Sequence, residues 1–169
     1  VPPVARLALI DDPALRRQAA FAQAASKHPA TGGAAAGRHR DHSDKLRIGY
    51  YSADFHAHAT MHLMAEAFEA HDRGRFELYA FSFGPDKIDD MRQRVVRAFD
   101  RFIDVSQCSD AEIVAMSREL GIDIAVDLKG FTLEARTDIF AARCAPVQVN
   151  FLGYPGTLAA PYCDCCVPD

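Results

Sequence analysis

Three of the chain's seven histidines lie close together: His56, His58 and His62. Imidazole is the side chain whose ordinary titration falls nearest pH 7, so this cluster suits proton transfer. It follows an apolar, β-prone run over residues 46–51, and a helix-period pattern starts near Thr60. The segment therefore predicts a strand, a loop and a helix. Ligands of open α/β sheets bind beyond the carboxyl ends of the strands, where this loop would lie.

Two further polar groups follow predicted strands. Asp54 could orient a histidine or accept a hydrogen bond from a substrate hydroxyl, or equally cap the amides of its own loop. Asp127, Lys129 and Thr132 would lie on the same ligand side if the sheet is parallel. Lys129 could balance the charge of a diphosphate, although an ion pair with Asp127 is the simpler account. Gly130 is expected to permit a bend that a side chain would block.

A turn rich in glycine and proline is the third candidate: Gly153, Tyr154, Pro155, Gly156 and Thr157. Its backbone amides and its threonine hydroxyl could reach a sugar or phosphate without a large ordering cost. A plain β-turn is the alternative.

Two other clusters invite a metal but lack suitable ligand spacing. Structural zinc takes four ligands, usually as two separated pairs, and Cys163, Cys165 and Cys166 have no second pair. Small hydrophobic residues in a strand explain these cysteines better. His39 and His42 lie in a small, polar segment without periodicity, which predicts a solvated linker. We therefore expect no metal.

The composition is that of a globular protein, with 49% hydrophobic and 25% charged residues among 169. A net charge of -4 without Lys or Arg clusters argues against nucleic acid or a membrane as the main partner. The five cysteines are unevenly placed and no signal peptide opens the chain, so a reducing, cytoplasmic location is expected. The start at Val1 and the end beside a predicted strand lead us to expect a piece of a longer protein.

Strand and helix patterns alternate along the chain. Strands are predicted over residues 46–51, 76–83, 101–105, 122–128, 146–152 and 161–167. Helices are predicted over residues 14–25, 61–70, 88–99, 106–120 and 132–142. Ser109 and Glu112 form a capping-box pattern, and Leu63 and Ile88 are expected to face inward. The alternation predicts a Rossmann-like α/β lobe with a largely parallel sheet.

The remaining N-terminal residues predict a short connector. Residues 1–45 combine a helix, whose apolar stripe would be Leu15, Ala19 and Ala22, with a flexible linker. No GxGxxG follows the first strand, so a dinucleotide fingerprint is absent.

Several motifs, in order, carry a resemblance to a known family. They include GYYSADF at 49–55, GIDIAVDLKGFT at 121–132 and APVQVNFLGYPGT at 145–157. Residues 46–169 resemble the N-terminal half of the catalytic region of the protein O-GlcNAc transferases, bacterial type and SPINDLY-like. Residues 1–45 resemble, more weakly, the connector that follows the family's tetratricopeptide repeats.

The resemblance implies an inverting, metal-independent transfer of GlcNAc from UDP-GlcNAc to Ser or Thr hydroxyls of acceptor proteins. The site would be a GT-B cleft between two Rossmann-like lobes, and the second lobe, with most of the UDP site, is missing from this chain. His58 matches a family position at the acceptor or donor sugar, where a neutral imidazole can accept a proton or a hydrogen bond. His62 also matches the motif but suits packing or capping, and His56 is expected to be exposed.

We thus predict a glycosyltransferase with His58 as the catalytic residue and no cofactor beyond the donor substrate. Substrate binding is assigned to Asp54, His62, Lys129, Thr132 and the turn at 153–157. Departures from the family occur at Ala59, Glu134 and Cys144, where proline, glycine and proline are usual. The alternatives are another nucleotide sugar such as GDP-fucose, or a non-catalytic lobe that binds acceptors or a partner. The isolated lobe is expected to be inactive.

Overall fold

The computed structural model describes residues 11–28, 45–154, 156 and 158–167. Its strands are β1 (Leu46–Ser52), β2 (Phe76–Ser82), β3 (Arg101–Asp104), β4 (Ile124–Asp127), β5 (Val147–Phe151) and β6 (Cys165–Val167). Its helices are α1 (Pro13–Lys27), α2 (Ala59–Ala70), α3 (Asp90–Ala98), α4 (Asp110–Glu119) and α5 (Thr137–Ala141). The predicted linker, with His39 and His42, lies outside the described residues.

The described strands form one parallel sheet in the order β3-β2-β1-β4-β5-β6. The predicted Rossmann-like parallel sheet is therefore confirmed. β1 lies between β2 and β4, with Tyr51 opposite both Phe81 and Asp127. The strand order reverses here, and this switch point is where open α/β sheets bind ligands.

Both faces of the sheet are buried, as expected for a parallel sheet. Along β1 the side chains alternate between two hydrophobic clusters, with Tyr51 in one and Ile48 and Tyr50 in the other. Helices α1, α4 and α5 contribute to the first cluster, and α2 and α3 to the second. Because the strands are parallel, their carboxyl ends lie at a single edge of this layered structure.

The helix ends follow local signals in the sequence. Asp12 caps α1 with Pro13 in the first turn, and Ser109 and Glu112 form the predicted capping box of α4. Helix α5 is shorter than predicted because the chain first forms a loop in which Glu134 has a positive φ of 61°.

Three packing predictions are wrong. Leu63 and Ile88 are 67% and 84% exposed, and Ile88 precedes α3, which starts after its N-cap Asp89. In α1 the packed residues are Ala20 and Ala24, not the stripe predicted through Leu15. Among the described helices, none has the length and apolar character to cross a membrane.

Candidate functional site

An ion pair joins the loops that follow the neighbouring strands β1 and β4. Lys129 Nζ lies 2.8 Å from Asp54 Oδ2, and both side chains are less than a tenth exposed. The prediction that Lys129 pairs with Asp127 is therefore wrong, because parallel pairing of β1 with β4 brings Asp54 to the ammonium. The predicted contact of Lys129 with a diphosphate stays a prediction.

His58 stands at the start of α2, beside this ion pair. Its Nδ1 accepts the backbone N–H of Thr60 at 3.3 Å and lies 3.7 Å from Asp54 Oδ2. In a neutral ring that accepts at Nδ1, the proton is on Nε2. In the other tautomer the proton is on Nδ1 and faces Asp54. Nε2 then carries no proton and can accept a hydrogen bond from another group. The side chain is 43% exposed, so a substrate can reach it.

His56 is buried, which corrects the expectation that it would be exposed. Lys87 Nζ lies 2.9 Å from its Nε2, and an ammonium can only donate, so this nitrogen accepts. The segment before α3 also contacts the backbone next to His56, since the Asp89 carboxylate accepts the Ala57 N–H at 2.9 Å. The rings of His56 and His58 lie 5.9 Å apart and nearly parallel. Sequence reasoning did not identify Lys87, and no local pattern indicates it.

His62 is the third predicted histidine, and it lies exposed in the first turns of α2. The cap of this helix is made by His58 instead. The structure thus groups His56 and His58 with Asp54 and Lys129 and leaves His62 on the solvent face.

Asp127 organises the loop after β4. Its Oδ1 accepts the N–H groups of Lys129 and Gly130 at 2.8 and 3.1 Å, and Asn150 Nδ2 lies 3.4 Å from its Oδ2. Burial raises the pKa of Asp127, and these hydrogen bonds oppose that shift. Thr132 Oγ1 closes the same loop by donating to the Lys129 carbonyl at 2.9 Å. Asn150, in the APVQVN motif, was missed by sequence reasoning.

The turn after β5 packs directly on this loop. A Cβ on Gly153 would lie 1.7 Å from the Leu128 carbonyl oxygen. Gly130 has a φ of +57°, and a Cβ there would lie 2.5 Å from Tyr154 Cβ, so the expected bend is confirmed. Tyr154 is buried with its ring edge-on to Phe131. These residues thus hold the turn after β5 against the loop after β4.

The rest of the turn is described only in part. Gly156 donates its N–H to the Tyr154 carbonyl at 2.8 Å. Pro155 and Thr157 lie outside the described residues, and their predicted roles stay predictions.

The cysteine cluster ends in strand β6, as predicted, but Cys165 and Cys166 are exposed there rather than packed. Cys163 Sγ lies 3.7 Å from Cys166 Sγ. Burial raises the pKa of the Cys163 thiol to about 12. Within the described ranges, no group of His, Cys, Asp and Glu side chains is arranged to hold a metal ion.

The departures from the family differ in their structural effect. Ala59 is the first residue of α2, a position that favours proline. Glu134 takes the left-handed backbone conformation that favours glycine. Cys144 is fully buried, and its thiol lies 3.3 Å from Gln148 Oε1.

The chain is similar to several known proteins. The family model described as Glycosyl transferase family 41 matches residues 28–169. The probable UDP-N-acetylglucosamine–peptide N-acetylglucosaminyltransferase SEC of Arabidopsis thaliana is 38% identical over 125 residues, 74% of this chain. A Caenorhabditis elegans UDP-N-acetylglucosamine–peptide N-acetylglucosaminyltransferase is 37% identical over 127 residues, again 74% of the chain.

A solved structure has the same fold. A mutant of the Thermobaculum terrenum O-GlcNAc transferase superposes with a TM-score of 0.85 at 35% identity, over 94% of this chain. The matched region is a small part of each relative: 13% of the plant protein, 11% of the nematode protein and 30% of the bacterial chain.

Proposed function

Because this chain belongs to glycosyl transferase family 41, we propose that it forms one wall of the active site of a protein O-linked glycosyltransferase. The reaction is the inverting, metal-independent transfer of GlcNAc from UDP-GlcNAc to Ser or Thr hydroxyls of acceptor proteins. Residues 46–169 are the N-terminal lobe of a GT-B enzyme, and a second lobe binds most of the UDP. Residues 1–45 connect this lobe to tetratricopeptide repeats.

The observation that carries the proposal is the position of His58. It lies at the switch point of the sheet, partly exposed, with Nδ1 facing the Asp54 carboxylate. The reaction requires the tautomer with its proton on Nδ1, which then approaches Asp54 Oδ2, now 3.7 Å away, in place of accepting the Thr60 N–H. In that tautomer Nε2 can accept the proton of a Ser or Thr hydroxyl. That proton leaves as the oxygen bonds to the sugar carbon and the bond from this carbon to the diphosphate breaks.

The test is intact-mass measurement of a Ser/Thr-rich acceptor incubated with UDP-GlcNAc and the longer gene product that contains this chain. We expect His58→Ala to lower the rate of transfer about 100-fold, the usual lower limit for loss of an acid–base group. His71→Ala, at the other end of α2, is the control and should change the rate less than about twofold. A His58→Ala enzyme that keeps its rate would contradict the proposal.

One observation favours a binding role as the second candidate. In the structure Nδ1 accepts from Thr60, which makes Nε2 of a neutral His58 a donor rather than a base. A lobe that holds acceptor proteins without catalysis would show binding of the acceptor but no mass gain with UDP-GlcNAc or GDP-fucose. A mass gain with GDP-fucose alone would reassign the donor and keep the transferase.

A further inference from the structure

Lys129 is an unusual residue because its charge is buried at the ligand edge of the sheet. Lysine is rarely buried without a partner, and here the side chain is only 7% exposed and is paired with Asp54. Its backbone N–H is held by Asp127 Oδ1 at 2.8 Å, which fixes where the side chain starts. The buried ammonium of Lys129 is thus paired with a carboxylate that also faces His58.

One oxygen atom connects the two partners of Asp54. Oδ2 lies 2.8 Å from Lys129 Nζ and 3.7 Å from His58 Nδ1. An ammonium at hydrogen-bond distance offsets most of the negative charge that the imidazole would otherwise meet. Lys129 therefore decides how strongly Asp54 attracts a proton on His58.

We propose that Lys129 is a positioning residue that, through Asp54 Oδ2, keeps His58 neutral and able to accept the hydroxyl proton. This inference rests on the proposed role of His58 and assigns Lys129 to that histidine instead of to the diphosphate. If the charge of Lys129 is removed, Asp54 favours the imidazolium, and a protonated His58 cannot act as a base.

Other charged groups near His58 are the same in every variant compared below. The His56 ring lies 5.9 Å away with Lys87 on its Nε2, and Asp89 binds the Ala57 N–H. Differences between variants of Lys129 and Asp54 therefore report the charges of these two side chains and not those of His56, Lys87 or Asp89.

The experiment is a histidine titration of the 169-residue chain by NMR, with fold checked from the amide spectrum. We expect Lys129→Gln, which keeps a hydrogen-bond donor, to move the midpoint of His58 protonation to higher pH by up to about one unit. Solvent screening at a side chain that is 43% exposed sets this upper limit. Lys129→Arg keeps the charge and should move the midpoint by less than about 0.3 units.

Two more variants complete the cycle. Asp54→Asn leaves the Lys129 charge unopposed and should move the midpoint to lower pH. The Asp54→Asn, Lys129→Gln double variant carries neither charge and should return it close to the wild-type value. Each single variant tests the proposal by itself if it folds, because each has its own predicted direction of shift.

An unmoved midpoint in folded Lys129→Gln or folded Asp54→Asn would overturn the proposal. An equal shift in Lys129→Arg would also overturn it, because packing rather than charge would then be responsible. In the longer enzyme, Lys129→Gln should shift the acid limb of kcat/KM upward by the same amount. A shifted titration together with an active His58→Ala enzyme would retain the coupling and refute only the catalytic role of His58.

Discussion

At the scale of single residues, two aspartates at the carboxyl ends of adjacent strands have different tasks: Asp54 lies just after β1, and Asp127 is the last residue of β4. Asp54 forms an ion pair with Lys129 and faces His58, so its charge is part of the proposed chemistry. Asp127 accepts backbone amides and the Asn150 side chain, so its oxygens shape a loop. Both carboxylates are buried, and only their hydrogen-bond partners separate the two roles.

Asp127→Asn tests the structural role through pH. Burial raises the pKa of Asp127 above the ordinary 3.8, so the folded protein holds this proton more tightly than the unfolded chain. The resulting stabilisation is fully present below the unfolded pKa and is lost as pH rises through the folded value. We expect the free energy of unfolding of Asp127→Asn, relative to wild type, to increase as pH rises from about 4, measured by urea unfolding.

A control of opposite sign is available for this experiment. Hydrogen bonds from Arg94 lower the pKa of the exposed Glu69 carboxyl. The relative stability of Glu69→Gln should therefore fall as pH rises through the same range. A difference between Asp127→Asn and wild type that is flat with pH would show that burial does not penalise the Asp127 charge.

At the scale of elements, backbone contacts between loops hold the site together. The loop after β2 touches the loop after β1, since a Cβ on Gly84 would lie 1.8 Å from the Ala53 carbonyl oxygen. The loop after β5 touches the loop after β4 in the same manner, through Gly153 and Leu128. Asp54 and Lys129 therefore lie on loops that neighbouring loops support.

Gly153→Ala measures this support. The added methyl would overlap a backbone carbonyl, which cannot move aside as a flexible side chain can, so we expect a loss of about 3 kcal/mol or more in the free energy of unfolding. Gly74→Ala is the matched control, because its Cβ would meet only the movable Asp72 carboxylate at 3.0 Å. Denaturant unfolding of the two variants that gave equal losses would contradict the close approach at Gly153.

At the scale of the whole molecule, helix α1 packs on the lobe. Ala20 and Ala24 belong to the hydrophobic cluster on one face of the sheet. His28, which follows the helix, lies 3.2 Å from Thr137 Oγ1 through Nε2 and 3.4 Å from Asp138 Oδ1 through Nδ1. The predicted connector thus contributes to the core of the lobe.

Ala24→Glu should detach this helix. The substitution places a carboxylate at a fully buried position within a hydrophobic cluster, and burying a charge among apolar side chains is strongly unfavourable. We expect the amides of α1 to exchange with solvent at least about tenfold faster, measured by hydrogen exchange. Ala25→Glu, on the exposed side of the same helix, is the control and should leave the exchange nearly unchanged. Equal exchange in both variants would show that α1 does not depend on this contact.

The elements were predictable because their signals are local. Periodicity, the capping box at Ser109 and the proline after Asp12 all act within a few residues, and the structure confirms each of them. Helix α5 was predicted too long, because a positive φ at Glu134 is not a property that glutamate indicates. For the candidate site, the sequence indicated the loops after β1 and β4 and the bend at Gly130, but not the pairing of Lys129 with Asp54.

The sequence by itself determined the parallel α/β lobe, the family and the edge of the sheet where the polar residues gather. Tertiary structure alone decided that Lys129 pairs with Asp54, 75 residues away, and that Lys87 covers His56, 31 residues away. The physical reason is that strand order, rather than local propensity, decides which loops meet. Charged side chains then pair with whichever opposite charge the buried edge brings within hydrogen-bond distance.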